Sequence, residues 1–340
     1  MNSYERVMAA VRGSEVDRRP FAGVLSLQGA KFTKCPLDRY YSDSQAYIDG
    51  MIAVRETICP DIVHSPFILA AEGNAFGSEI KYFDEQAPNL KTPVIHSVSE
   101  FSKLQTPDID SHPRLVYIRE AVRGLKKKYG NEVAVAGTLL NPCDMPIMLM
   151  TLEEWLPAVI CEDEAVERIL DITVPFFVEW ANTLADDGAD FLVMPSPFTS
   201  PRVITHGITQ RFALPVLKQT FSQLKIPLVL HHAGGQYLNF LDIFNGLPNL
   251  MGFSVDHTDP LHLCRDKIGP DTLLLGGIDG PNLDTLTPEE AYRKTGSVLL
   301  ERSNDPYFLF MLTGPDVVYR TPVENILAVR RAVEEHRPNL

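Results

Sequence analysis

Pro227-Leu228-Val229-Leu230-His231-His232-Ala233-Gly234-Gly235-Gln236 reads as a short apolar run that stops on two histidines and then turns at a glycine pair. Seven other runs share this form: Phe21–Leu25, Asp61–His64, Val133–Leu140, Asp190–Met194, Met251–Val255, Thr272–Ile278 and Tyr307–Leu312. Most lack strict alternation, as expected of parallel strands covered on both faces. Helix-start signals fall between them. Ser97–Glu100, Thr151–Glu154, Thr287–Glu290 and Thr321–Glu324 each fit a capping box, in which a hydroxyl and a carboxylate satisfy each other's helix-end amides. Eight strands with intervening helices predict a single (β/α)8 barrel domain over residues 1–340. A doubly wound sheet is the alternative, but no glycine-rich phosphate loop follows the early strands. Residues 26–60 and 65–132 are long for simple connections, which predicts extra helices and lid segments over the barrel mouth.

The 340 residues are 45% hydrophobic and carry a formal net charge of −13. So acidic a surface repels phosphate backbones and anionic lipid, which argues against nucleic-acid and membrane partners. Lys126, Lys127 and Lys128 form a short basic run, expected on an exposed helix face. No apolar stretch approaches the roughly 20 residues that span a bilayer, and no signal peptide is visible. Cys35, Cys59, Cys143, Cys161 and Cys264 are scattered and odd in number. They read as free thiols of a cytoplasmic protein.

In a barrel, chemistry gathers where the strands finish. The run ends supply Gln28, His64, Asn141, Ser196, His231, His232, Asp256, His257 and Asp279, with Gln236 just beyond the fifth. Four of the nine histidines fall there. His231 and His232 are adjacent, so along a strand they point to opposite faces, and at most one meets the pocket unless the chain has already turned. Asp279 follows Gly276-Gly277-Ile278, where it also suits a turn.

At these residues the sequence resembles the uroporphyrinogen-decarboxylase superfamily, which includes methyltransferases that work with corrinoid proteins. Glu5-Arg6-Val7 through Asp17-Arg18-Arg19-Pro20 is similar to the family's opening helix and its entry to the first strand. His231-His232-Ala233-Gly234 resembles the His-x-Cys-Gly motif of the zinc-dependent branch, and Leu275-Gly276-Gly277-Ile278-Asp279 the seventh-strand segment. Thr313-Gly314-Pro315 and Thr321-Pro322-Val323-Glu324-Asn325 resemble the closing elements. The departures are informative. Ala233 and Pro315 stand where the resemblance would put the two zinc-binding cysteines, so a thiol-activating zinc site is not favoured. His231, His232, His257, Asp256, Glu164 and Glu179 are metal-ligand types whose spacing compels no site. Ser26-Leu27-Gln28-Gly29-Ala30-Lys31 occupies the place of the decarboxylases' arginine-rich segment, which binds a many-carboxylate tetrapyrrole. His64-Ser65-Pro66 occupies the place of their catalytic aspartate.

The resemblance therefore implies a corrinoid-dependent methyltransferase. The expected methyl donor is a small aryl methyl ether, and the acceptor is cob(I)alamin on a separate corrinoid protein. The poor ether leaving group needs an acid. His231 or His257 is expected to supply it, oriented by Asp256 or Asp279. Gln28, His64, Asn141, Ser196, His232 and Gln236 are expected to bind substrate. Met145, Met148, Met150 and Phe198 suit an aromatic ring or plain core. The alternatives are a decarboxylase and a non-catalytic corrinoid-binding module.

Overall fold

The computed structural model describes residues 1–339. Eight strands, β1 (Phe21–Gly23), β2 (Ile62–His64), β3 (Ala134–Thr138), β4 (Phe191–Pro195), β5 (Leu228–His231), β6 (Leu250–Ser254), β7 (Leu273–Asp279) and β8 (Phe308–Thr313), each fall on one of the eight apolar runs. They are parallel and hydrogen-bonded in the order β1-β8-β7-β6-β5-β4-β3-β2. Neighbours in sequence are neighbours in the sheet, and the last strand returns to the first. This is a (β/α)8 barrel and excludes the doubly wound alternative.

Alternate strand residues separate into two apolar clusters. Ala22, Ile62, Ala136, Val193, Val229, Leu275 and Met311 pack inside the ring. Phe21, Val63, Val135, Leu192, Leu230, Leu274 and Phe310 face the surrounding helices. Because both faces are buried, the sequence reads as continuous apolar runs. Val7 and Ala10 of the helix Ser3–Val11 join the inner cluster and plug the amino-terminal end of the barrel. Its start is a capping box between Asn2 and Glu5 that the sequence reading missed.

The opening motif is structural. Arg6 pairs with Asp17 at 2.7 Å and with Asp61 at 2.8 Å, and Arg18 pairs with Asp61 at 2.6 Å. These contacts knit residues before β1 to the start of β2.

Of the four sequence-predicted capping boxes, only Thr287–Glu290 forms as such. Thr151 has a φ of +79° and no side-chain cap, because it ends one short helix while starting the next. The helix expected at Thr321 starts at Val323, and the Thr321 hydroxyl is buried without a partner. Ser97 bonds Ser99 and Glu100 bonds the His96 amide, so that pair does not reciprocate. The long connections carry the expected extra helices, Ser26–Thr33, Leu37–Tyr40, Ser44–Ile58 and Ala71–Ala75. They also hold an antiparallel hairpin, Glu79–Lys81 with Asn89–Thr92, which the sequence reading missed. Lys127 and Lys128 are exposed, whereas Lys126 pairs with Asp190 at 2.6 Å. Among the described residues no helix is long and apolar enough to cross a membrane.

Candidate functional site at the barrel mouth

The period of two that sends Ile62, Ala136 and Val229 inward sends His64, Thr138 and His231 to the same side, one step nearer the mouth. Ser254, in register with His231, donates to Met311 Sδ at 3.4 Å. The apolar plug is therefore capped by a buried polar layer of His64, Thr138, His231 and Ser254. Both ring nitrogens of His64, the Thr138 hydroxyl and Nε2 of His231 have no hydrogen-bond partner. The Phe67 ring lies 6.1 Å from that of His231. Burial pushes the His64 pKa down to about 4. Burial, with the neighbouring His232 and His64, holds His231 well below the usual histidine value. Both rings are neutral near pH 7.

His231 and His232 do not diverge as strand geometry would require. Their rings stack, with centroids 4.7 Å apart and planes 21° from parallel. The reason is that β5 ends at His231, and Ala233 (φ +52°) and Gly234 (φ +91°) turn the chain at once. His231 Nδ1 accepts from the Ala233 amide at 3.0 Å. His232 Nδ1 lies 3.4 Å from Asp256 Oδ2, and its Nε2 accepts from the Gly314 amide at 3.2 Å. Burial, opposed by Asp256, lowers its pKa to about 4.

Beyond His232 a row of titratable side chains follows. His257 places Nδ1 3.5 Å from Asp256 Oδ1 and Nε2 3.5 Å from Asp279 Oδ2. Burial works against the Asp256 carboxylate. Hydrogen bonds from the Thr258 hydroxyl and amide, with the two imidazoles, outweigh it and hold the pKa below the ordinary value. Asp279 accepts from Asn282 through both its backbone and its side chain. The His257 side chain is 37% exposed. A crevice of about 360 Å³ opens beside it, lined also by Asp279, Asn282 and Lys294. The carboxyl ends of β5, β6 and β7 thus deliver His231, His232, Asp256, His257 and Asp279 to one row.

Other sequence-predicted residues are committed elsewhere. Asn141 donates to Ser196 at 3.0 Å and to Thr199 at 2.9 Å, and it accepts from the Cys143 and Asp144 amides. Both Asn141 and Ser196 serve this buried loop anchor. Gln28 donates to the carbonyls of Val317 and Val318, tying the first mouth helix to the loop after β8. Gln236 is exposed on the turn after β5. Met145, Met148, Met150 and Phe198 belong to the outer core.

Sequence reasoning missed three buried carboxyl groups near the mouth: Glu72, Asp144 and Asp316. Burial raises Glu72 and Asp144 to about 7 and pushes Asp316 well up. The one signal was their place, in the loops that follow β2, β3 and β8.

A zinc ion of the kind the resemblance implies does not fit. The positions in question do converge, since a Cβ on Gly234 would lie 3.9 Å from Pro315 Cδ. Ala233 and Pro315 offer no donor atom. His231 Nδ1 accepts an amide hydrogen, so in the neutral ring Nε2 carries the proton and has no lone pair for a metal. Glu164 and Glu179 are exposed on the outer helix Glu164–Asp186. Among the described residues no three His, Cys, Asp or Glu side chains are grouped to hold a metal.

Residues 2–336 match the family model for uroporphyrinogen decarboxylase (URO-D). The chain belongs to the URO-D family. This URO-D chain is 26% identical over 332 residues to the methylcobamide:CoM methyltransferase MtbA of Methanosarcina acetivorans, covering 95% of this chain and 94% of that one. It is 24% identical to a methylated-thiol–coenzyme M methyltransferase of Methanosarcina mazei, covering 98% and 90%. A solved methyltransferase from Methanosarcina mazei shares the fold, with a TM-score of 0.87, 20% identity and coverage of 98% and 99%. This URO-D chain caps its barrel with neutral His64, Thr138, His231 and Ser254.

Proposed function

We propose that this chain is a corrinoid-dependent methyltransferase. It takes the methyl group of a small aryl methyl ether and passes it to cob(I)alamin, held by a separate corrinoid protein docked over the mouth. The similarity to cobamide-linked methyltransferases supports the class. The observation that carries the chemistry is His257, held between Asp256 and Asp279 at 3.5 Å from each.

The reduced corrinoid, when docked, would supply the electron pair that bonds the methyl carbon. The breaking C–O bond leaves its electrons on oxygen, which needs a proton. His257 is the residue to deliver it. It is half-exposed, so it can recover a proton from solvent, and two carboxylates compensate the charge of the protonated ring. His231, the other histidine expected to supply the proton, is too deeply desolvated to hold that charge. It is better suited to orient substrate as a neutral donor. The five cysteines are unpaired, which suits a reducing cytoplasm.

The test mixes the protein with reduced cobalamin, or its corrinoid partner, and 2-methoxyphenol, and follows the methylcobalamin absorbance. Transfer that collapses in His257→Gln supports the reading. Carbon dioxide release from a carboxylate substrate, with no methyl transfer from any ether, would replace it with the decarboxylase alternative. Cobalamin binding without turnover, indifferent to His257, would favour the non-catalytic module.

A further inference from the structure

We infer that His231 and His64 form a hydrogen-bonding pair that selects a methyl donor with an uncharged oxygen, and that it discriminates against quaternary methylammonium compounds. This rests on the methyltransferase reading for the word donor; the ligand class follows from the side chains themselves.

Buried polar atoms nearly always find partners. Inside this barrel four do not: His64 Nδ1 and Nε2, Thr138 Oγ1 and His231 Nε2. All belong to the inward-facing layer above the apolar plug. The identity of each free atom fixes what it can bind. The Ala233 amide donates to His231 Nδ1 at 3.0 Å, so that nitrogen is the acceptor and Nε2 carries the hydrogen. The free atom of His231 is therefore a donor and requires an acceptor from its ligand. His64 has both nitrogens free, one a donor and the other an acceptor. The Thr138 hydroxyl serves either way.

No carboxylate belongs to this layer. Asp256 and Asp279, in the row beyond His232, are taken up by Thr258, Asn282, His232 and His257. Glu72, Asp144 and Asp316 lie in the loops after β2, β3 and β8, and burial favours the protonated form of each. A quaternary methylammonium would enter a buried layer with no counter-charge of its own, would have no N–H to offer the free His64 acceptor, and would meet the positive end of the His231 N–H bond. An ether or phenol oxygen would receive that hydrogen instead. The flanking surface is apolar: Phe67 lies 6.1 Å from His231 at 62°, and Met311 packs in the layer below. This suits the body of an arene. Burial keeps both imidazoles uncharged, in line with the same ligand class.

The test uses the whole chain, without corrinoid, in two steps. Long-range 1H–15N spectra of 15N-histidine-labelled protein read the His231 tautomer directly. The Nε2–H form is expected; the Nδ1–H form would overturn the inference even if no variant folds. Calorimetric titrations then compare 2-methoxyphenol with tetramethylammonium. The phenol is expected to bind and to shift the His64 and His231 nitrogens, and tetramethylammonium is not. His231→Leu should weaken phenol binding about five- to tenfold, the worth of one hydrogen bond, and His231→Gln, which keeps an N–H, should recover most of it. Equal or tighter tetramethylammonium binding, or phenol binding that leaves both histidines unshifted, overturns the ligand class and leaves only buried water on these atoms. Methyl transfer from tetramethylammonium would likewise sink the ligand class but spare the methyltransferase. Phenol binding as described, with no methyl transfer, would uphold the ligand class and sink the methyltransferase.

Discussion

Asp61 joins β1 to β2 by bonding the backbone of Phe21 twice: its amide donates to the Phe21 carbonyl at 2.7 Å, and its Oδ2 accepts from the Phe21 amide at 2.8 Å. No ladder connects these two strands, so one buried carboxylate, held by Arg6, Arg18 and the Ser3 hydroxyl, closes the ring. Replacing Asp61 by Asn keeps the shape but leaves two nearly buried guanidiniums short of a counter-charge. A loss of about 3 kcal/mol is expected, because removing one partner strands the others. Urea unfolding measures it. A loss below about 1 kcal/mol would mean that backbone pairing alone holds the seam.

His257 and Asp279 should behave as chemistry rather than scaffold. His257→Gln and Asp279→Asn are each expected to slow methyl transfer, the first by about 100-fold or more. Because His257 is partly exposed, its melting temperature should move little. Single-turnover rates beside thermal melts separate the two. A rate within twofold of the parent for His257→Gln would remove it as the acid.

Glu72 predicts a pH dependence of stability. It is fully buried, its Oε1 accepts from Trp180 Nε1 at 3.2 Å, and its pKa rises from 4.5 to about 7. The folded state keeps a proton that the unfolded state releases. Its contribution is complete below pH 4.5 and is lost as pH rises through about 7. Glu72→Gln keeps the Trp180 bond and cannot ionise. Its stability relative to the parent should therefore grow between pH 5 and 8, by roughly 3 kcal/mol at most. His64 has the opposite slope, since its pKa falls from 6.5 to about 4 and stability drops as the medium acidifies across that window. The comparison must therefore be variant against parent at each pH, by chemical denaturation. A difference that stays flat would show that Glu72 ionises normally.

Ser196 should fail as a substrate ligand. Ser196→Ala removes a partner of Asn141 and is expected to cost about 1 kcal/mol while KM stays unchanged. A raised KM with unchanged stability would return Ser196 to the binding site.

Dialysis against a chelator is expected to leave both Tm and methyl transfer intact, since His231 Nε2 carries a hydrogen and positions 233 and 315 offer no ligand atom. Activity lost on chelation and restored by zinc would reverse that reading.

The barrel itself was legible in the chain. Strands buried on both faces leave unbroken apolar runs, and all eight show as such. The site was legible as a neighbourhood but not in detail. His231, His232, Asp256, His257 and Asp279 were singled out because strand ends converge, and the structure brings them into one row. Asn141 and Ser196 share the same address, and their mutual hydrogen bond, which the sequence does not display, is what distinguishes them from the row. The stacked His231–His232 pair was hidden because it depends on Ala233 taking a positive φ, which a side-chain-bearing residue does not advertise. The hairpin at Glu79–Thr92 lies on an exposed surface with short strands, where periodicity is weak.

The ring is fastened end to end, with Phe21 laddered to Phe310 and only Asp61 linking β1 to its successor. Of the eight barrel strands, the one that pairs with β1 is synthesised last. β1 therefore keeps an unpaired edge until β8 has been made. The buried ion cluster around Asp61, made entirely of residues near the start of the chain, can hold that edge in place while it waits.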